Sequence, residues 1–233
     1  MSDNLKKLAL NNNFDESIIR DAYLYACHKD IEAIKPGNVN INSPHHDTTA
    51  SDYLISSINS GSELFHDSYC LGDRILNAIV ATKKETSMNT NLGIVLLCAP
   101  IAHALLNYKE MSLKEAITKT IDNATSDDTV KICEAINIAN PGGLGDVLDY
   151  DTKSMPAVKL REIMSYSAQY DRISYQYHNN YQDILDFIIP SLDKNMIKYK
   201  SSDISISMTY LQILGKIPDS HISRKLGEEI AKK

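Results

Sequence analysis

The amino-acid sequence predicts an all-α fold: a single compact multi-helix domain with functional inter-helix loops. Three observations predict it. Apolar residues recur at helical spacing along most of the chain, no stretch shows sustained strand alternation, and no Pro/Gly/Ser-rich linker divides the 233 residues. A chain of this length buries about 70% of the surface its unfolded form exposes, enough for a core without staples. The domain is expected over 1–233, with 1–13 as a flexible or loosely packed N-terminus.

The elements follow in order. Asp15 can cap a helix running to about Ile34, with Ile18, Ala22 and Ala26 marking one face. Lys35-Pro36-Gly37 stops it, because proline removes a donor and restricts the residue before it. A polar loop spans Asn38 to Thr49. Helical patterns resume over 50–66 and 69–85, and the polar segment Thr86–Asn91 leads into an apolar helix over 92–108. Ser112-Leu-Lys-Glu115 and Thr125-Ser-Asp-Asp128 both fit capping boxes, opening helices to about Asn123 and Ala139. Asn140-Pro-Gly-Gly-Leu-Gly-Asp146 is the richest turn signal in the chain. Helices are expected at 155–170, 172–189, 203–215 and 219–231.

Composition excludes several functions. Hydrophobic residues make up 43% and charged residues 23%, as in a soluble globular protein. Twenty-four basic against thirty acidic residues give a net charge of −6, which argues against a broad nucleic-acid surface. The mean hydropathy of −0.26 argues against membrane residence. The longest apolar run, Gly93 to Leu106, contains His103 and is shorter than the roughly 20 residues that span a bilayer. The N-terminus lacks the apolar stretch of a secretory signal. Cys27, Cys70, Cys98 and Cys133 form no CxxC pair, so they read as reduced thiols of a cytoplasmic protein.

The residues able to do chemistry cluster between helices, where loops on a rigid scaffold often carry function. Lys35-Pro-Gly-Asn-Val39 offers a cation beside a permissive glycine, or merely a helix stop. His45-His46-Asp47 offers an acid–base pair or metal ligands, or a surface loop in which Asp47 caps the next helix. Asn89-Thr-Asn-Leu-Gly93 places amides at the mouth of an apolar helix, whose free N–H groups suit phosphate; alternatively one of them is an N-cap. Asp127-Asp128 can complement a helix dipole or hold Mg²⁺ with substrate phosphates. Pro141-Gly-Gly-Leu-Gly145 lacks the lysine and spacing of a P-loop and fails GxGxxG. Tyr166, Tyr170, Tyr177 and Tyr181 form a stripe if their helix is unbroken, facing a core or a partner subunit, which makes a homodimer worth testing.

Taken together, Lys35–Val39, His46-Asp47, Asn89–Gly93, Asp127-Asp128 and Glu134–Gly145 stand in a specific order. They continue with Asp171-Arg172, Gln176-Tyr177 and Ser223-Arg-Lys-Leu-Gly227. This order resembles the triphosphoribosyl-dephospho-coenzyme A synthase family over about residues 18–228. The resemblance implies an all-helical transferase. In that family the 2′-hydroxyl of 3′-dephospho-coenzyme A attacks C1 of the ATP ribose, and adenine leaves with the triphosphate intact. The product is the precursor of a prosthetic group of acyl carrier subunits. Asn91-Leu92 departs from the His-Lys of the citrate-lyase branch, and the Lys-Pro-Gly-Asn-Val and Asn-Thr-Asn-Leu-Gly wording is similar to a divergent branch of archaeal and one-carbon-metabolising organisms.

That resemblance implies a division of labour. Asp127 and Asp128 bind Mg²⁺, while Lys35, Arg224 and Lys225 face phosphate oxygens. Asp47 is the expected general base, with His46 as its alternative or orienter. Asn38, Asn89 and Asn91, with Gly93 beside them, bind ribose hydroxyls or phosphate, and Gln176 reads adenine. ATP and dephospho-coenzyme A are the expected partners, with no nucleic acid and no membrane. Two other readings stand beside it: a related nucleotide-dependent transferase or hydrolase of pterin-type cofactor synthesis with a different acceptor, which uses the same loops, and a non-catalytic helical adaptor, which would not need them.

Overall fold

The computed structural model of the protein describes residues 14–44, 47–142, 151–217 and 229. Helix α1 (Glu16–Glu32) starts where the Asp15 carboxylate accepts the Ile18 N–H at 2.9 Å. Its buried face is not the one marked by Ile18, Ala22 and Ala26. Ile18 is exposed, and Ile19, Tyr23, Cys27 and Ile31 point inward. That register keeps the helical period but swaps two alanines for larger side chains, so it removes more apolar surface from water. After the helix, the Asn38 N–H reaches the Lys35 carbonyl at 3.0 Å across Pro36 and Gly37, whose φ is +84°. This is a type II turn, which needs positive φ at its third position.

The Asp52 carboxylate accepts from the Thr49 N–H and hydroxyl at 2.7 and 2.8 Å and opens α2 (Ala50–Leu64). The buried side of α2 is small and polar, with Ser56, Ser57, Ser60 and Gly61. Its hydroxyls bond within the helix, to Tyr23 or to Thr90, so α1 and α3 (Leu71–Glu85) can approach closely without orphaned donors. Helix α4 (Leu92–Asn107) is apolar almost all round and runs through the core. Both predicted capping boxes form, at Ser112–Glu115 for α5 (Leu113–Asn123) and Thr125–Asp128 for α6 (Ser126–Ala139).

Pro100 lies inside α4 and cannot donate to the Leu96 carbonyl four residues back. The Tyr177 hydroxyl donates to that carbonyl instead, at 2.5 Å, and Tyr181 does the same for Leu97 at 2.9 Å. Tyr177 and Tyr181 are therefore buried, while Tyr166 and Tyr170 are exposed. The four do not form one stripe, because Asp171 ends one helix and caps the next.

The C-terminal third differs most from expectation. The single helices expected at 155–170 and 172–189 are shorter: a 3-10 turn (Thr152–Ser154), then α7 (Leu160–Ser167) and α8 (Arg172–His178). Asn180 and Tyr181 take positive φ and break the chain direction. A π turn (Ile184–Ile188) runs into α9 (Ile189–Tyr199), a helix absent from the sequence expectation. Pro190 falls where the π turn passes into α9. Helix α10 (Ser202–Lys216) pairs with α9 through a polar seam, Asn195 donating to Thr209 at 2.9 Å and Gln212 at 3.1 Å. The hairpin meets α1 through Asp203–Lys29 at 3.4 Å, and its Tyr210 hydroxyl donates to the Pro36 carbonyl at 2.9 Å. Segment 1–13, most of the Asn140–Asp146 turn and the helix expected at 219–231 lie outside the described residues. No described helix is long and apolar enough to cross a membrane.

Candidate functional site

Helix α3 separates the predicted site residues into two groups. Near its C-terminal end, Thr82 accepts from the Asn91 amide at 3.1 Å. At its start, the Gly72 N–H donates to Asp128 at 2.8 Å. Ten residues of helix, about 15 Å at 1.5 Å per residue, lie between those contacts. The Lys35 and Asn89–Asn91 loops therefore share one end of the bundle, and Asp127-Asp128 sits at the other.

At the first end, Tyr23, Cys27, Asp30, Ile31, Tyr53, Ser57, Asn91 and Ile94 line a narrow cleft of about 10 Å³, room for a single water. Lys35 does not hang in solvent. Its side chain is 5% exposed and its ammonium donates to Asp30 Oδ1, while the Asp30 side chain is 46% exposed. A buried ammonium needs such a partner, which is why the chain turns it inward. Asn38 is exposed at the turn, its Oδ1 3.4 Å from the Tyr210 hydroxyl. Asp47 is exposed just ahead of the Thr49 cap, six residues before Tyr53 of the cleft wall. It is not itself the cap of α2.

Asn89, Asn91 and Gly93 hold the start of α4. Asn89 Oδ1 accepts the Leu92 N–H at 3.2 Å. The buried Asn91 amide ties α2 to α3, donating to the Ser56 carbonyl at 3.2 Å as well as to Thr82. A Cβ on Gly93 would come within 3.3 Å of Ile173, so that glycine lets α8 cover the helix start. Gln176, one turn further along α8, is buried and donates to Asp183 at 2.7 Å, where Arg172 also pairs. Its Oε1 has no partner among the described residues.

At the other end, Asp127 and Asp128 have different partners. Asp127 is exposed and pairs with Lys131 at 2.9 Å, which also reaches Asp73 at 2.9 Å. Asp128 is buried, with one oxygen on Gly72 N–H and the other on the Thr125 N–H and hydroxyl, each at 2.8 Å. Burial pushes its carboxyl up, but the hydrogen bonds from Cys70, Gly72 and Thr125 outweigh it, and the net effect is a lowered pKa. In the structure both carboxylates are held by the protein's own groups, Asp127 by Lys131 and Asp128 by Gly72 and Thr125. Among the described residues no three His, Cys, Asp or Glu side chains come together to hold a metal ion. Nearby, Arg74 is fully buried, donating to the Leu64 carbonyl at 2.7 Å and to His103 at 3.4 Å. Burial, then the Arg74 charge, pushes His103 down to about 4, so the imidazole is neutral at pH 7.

Sequence reasoning missed Asp30, Tyr53 and Ser57, which meet only when α1 and α2 pack. The one available signal was Lys35 itself: a lysine at the end of an apolar helix face has to find an acid if it turns inward. His46, Arg224 and Lys225 lie outside the described residues.

Comparison with known proteins now bears on this geometry. Residues 16–233 match the family described as ATP:dephospho-CoA triphosphoribosyl transferase. No curated protein matches the chain. Among solved structures, the chain is similar to a protein from Archaeoglobus fulgidus provisionally assigned as a triphosphoribosyl-dephospho-coA synthase, with a TM-score of 0.58 and 18% identity over 77% of each chain. At that identity the likeness speaks for the fold. The family match takes in every described helix and the whole cleft, so this chain belongs to the ATP:dephospho-CoA triphosphoribosyl transferase family and is a transferase.

Proposed function

We propose that the cleft end of the bundle moves the 5-triphosphoribosyl group of ATP to the 2′-hydroxyl of 3′-dephospho-coenzyme A. The observation that supports this placement is that Asn91 and Asp30, the partner of Lys35, line one cleft between α1, α2 and α4. In the reaction the C1′–N9 bond breaks and its electron pair leaves with adenine, which takes up a proton. A new C1′–O bond forms to the acceptor, whose hydroxyl proton passes to a base. Displacement at an anomeric carbon runs through an oxocarbenium-like state, so both substrates must be held in line across it.

Asp47 is the proposed base, with His46 beside it in sequence as alternative or orienter. Asn38 and Asn89 are proposed for ribose hydroxyls or phosphate, since an amide offers donor and acceptor without adding charge. Arg224 and Lys225 are proposed to face the triphosphate together with the N–H groups of the first turn of α4 that Asn89 leaves unbound. Mg²⁺ enters as the counterion that ATP brings. The four free thiols suit a cytoplasmic enzyme.

The test is one incubation of purified protein with ATP, Mg²⁺ and 3′-dephospho-coenzyme A, read by liquid chromatography and mass spectrometry. The expected products are free adenine and an acceptor heavier by one triphosphoribosyl unit. ADP, AMP or pyrophosphate in their place overturns the reaction.

A further inference from the structure

Resting on that reading, we propose that Arg172 is a cation that holds the triphosphate of ATP beside the start of α4, and that Asp183 is the positioning residue that aims it. Location points this way first. A Cβ on Gly93 would come within 3.3 Å of the Ile173 side chain, so α8 begins against the first turn of α4, with Arg172 as its first residue. In that turn Leu92 donates to Asn89, and Val95 donates back to the Asn91 carbonyl at 2.9 Å. The Gly93 and Ile94 N–H groups between them meet no acceptor among the described residues.

Charge points the same way. A triphosphate carries several negative charges and needs cations that solvent can reach. Lys35 is turned inward onto Asp30, whereas the Arg172 side chain is 36% exposed. A guanidinium suits phosphate oxygens because its planar fork presents five N–H donors in fixed directions. This one is held in place. It lies over the Tyr175 ring, 3.7 Å from the centroid, and its Nη2 donates to Asp183 Oδ2. The buried Gln176 amide donates to the same oxygen at 2.7 Å, so the carboxylate is itself pinned. Asp183 stands there because Asn180 and Tyr181 take left-handed φ of 52° and 60° and a π turn follows at once. Left-handed backbone at a tyrosine and π turns are both unfavourable, and both recur where a side chain has to be aimed.

The test is calorimetry of the whole chain with inorganic triphosphate, a probe that carries the phosphates without base or ribose. Arg172→Gln is expected to weaken its binding about tenfold or more, the scale of a lost charge-assisted contact. Lys131→Gln, which removes a cation at the opposite end of α3, is expected to leave the affinity as in the wild type. Equal losses in the two variants mean general attraction and overturn the role of Arg172, as does wild-type affinity in Arg172→Gln or no binding by the wild type. Asp183→Asn is expected to weaken the probe several-fold, and to change nothing further in an Arg172→Gln background, since it acts through the arginine. Additive losses overturn the positioning role. The probe also separates this site from the reaction. Binding that falls in Arg172→Gln supports the site even in a protein that releases no adenine from ATP. Adenine release with an unaltered KM for ATP in Arg172→Gln leaves the reaction standing and removes Arg172. If Arg172→Gln fails to fold, phenylglyoxal labelling of the wild type decides, mapped by peptide mass spectrometry. Protection of Arg172 by inorganic triphosphate supports the contact, and labelling at an unaltered rate removes it.

Discussion

Asp128 stands beside another acid at a helix start, and in the sequence the pair reads equally well as a cation site or a dipole match. In the fold it is a joint between helices. Its carboxylate caps α6 and accepts the Gly72 N–H, while a Cβ on Gly72 would come within 2.7 Å of the Asp128 backbone. Asp128→Asn is therefore expected to cost about 1–3 kcal/mol in urea denaturation, the range for removing charge-assisted bonds from a buried site. The Mg²⁺ dependence of turnover should stay as in the wild type; a changed Mg²⁺ requirement would return Asp128 to the metal. Because its folded pKa is lowered, the stabilisation is present above the ordinary carboxylate range and fades as the pH falls through the depressed value. The capping half of this role was legible, since Thr125 and Asp128 are three residues apart. The Gly72 half was not, because that partner lies 56 residues away and no local pattern marks it.

Helix α4 shows what a single element can conceal. An apolar run with a proline in its middle reads as buried, yet the carbonyl that Pro100 leaves unpaired has to be met from elsewhere. Tyr177 meets it from α8. Tyr177→Phe should destabilise the protein by about 1–3 kcal/mol, the cost of a buried acceptor without a donor. In a Pro100→Ala background, where an N–H is available again, the same change should cost clearly less; equal costs in both backgrounds would refute the coupling. Caps, stops and the type II turn were readable because their chemistry is local. The face of α1 was misjudged by one residue, since two registers share the period and only the packed partner decides. The early end of α8 and the break at Asn180–Tyr181 escaped because tertiary bonds to α4 set them, not propensity.

At the scale of the molecule, the order of the motifs along the chain pointed to the family, but their grouping in space did not follow from it. Lys35, Asp47, Asn89 and Asn91 gather at one end, and Asp127-Asp128 is carried to the other by the length of α3. The α9–α10 hairpin is a further consequence of layout. Its inner seam is Asn195, Thr209 and Gln212, while Met196, Ile197, Ile204 and Leu211 remain exposed. Opening such a seam uncovers little new apolar surface, so it resists separation less than the core does. Amide hydrogen–deuterium exchange should divide the chain accordingly: α9 and α10 lose protection together in a shallow opening, whereas α3 and α4 exchange only through global unfolding. Exchange of both groups at one common free energy would contradict this. Since Tyr210 ties the hairpin to the Pro36 carbonyl, a nucleotide that steadies that turn should also slow isotope uptake across α10, giving the bound state a signature far from the bond that breaks.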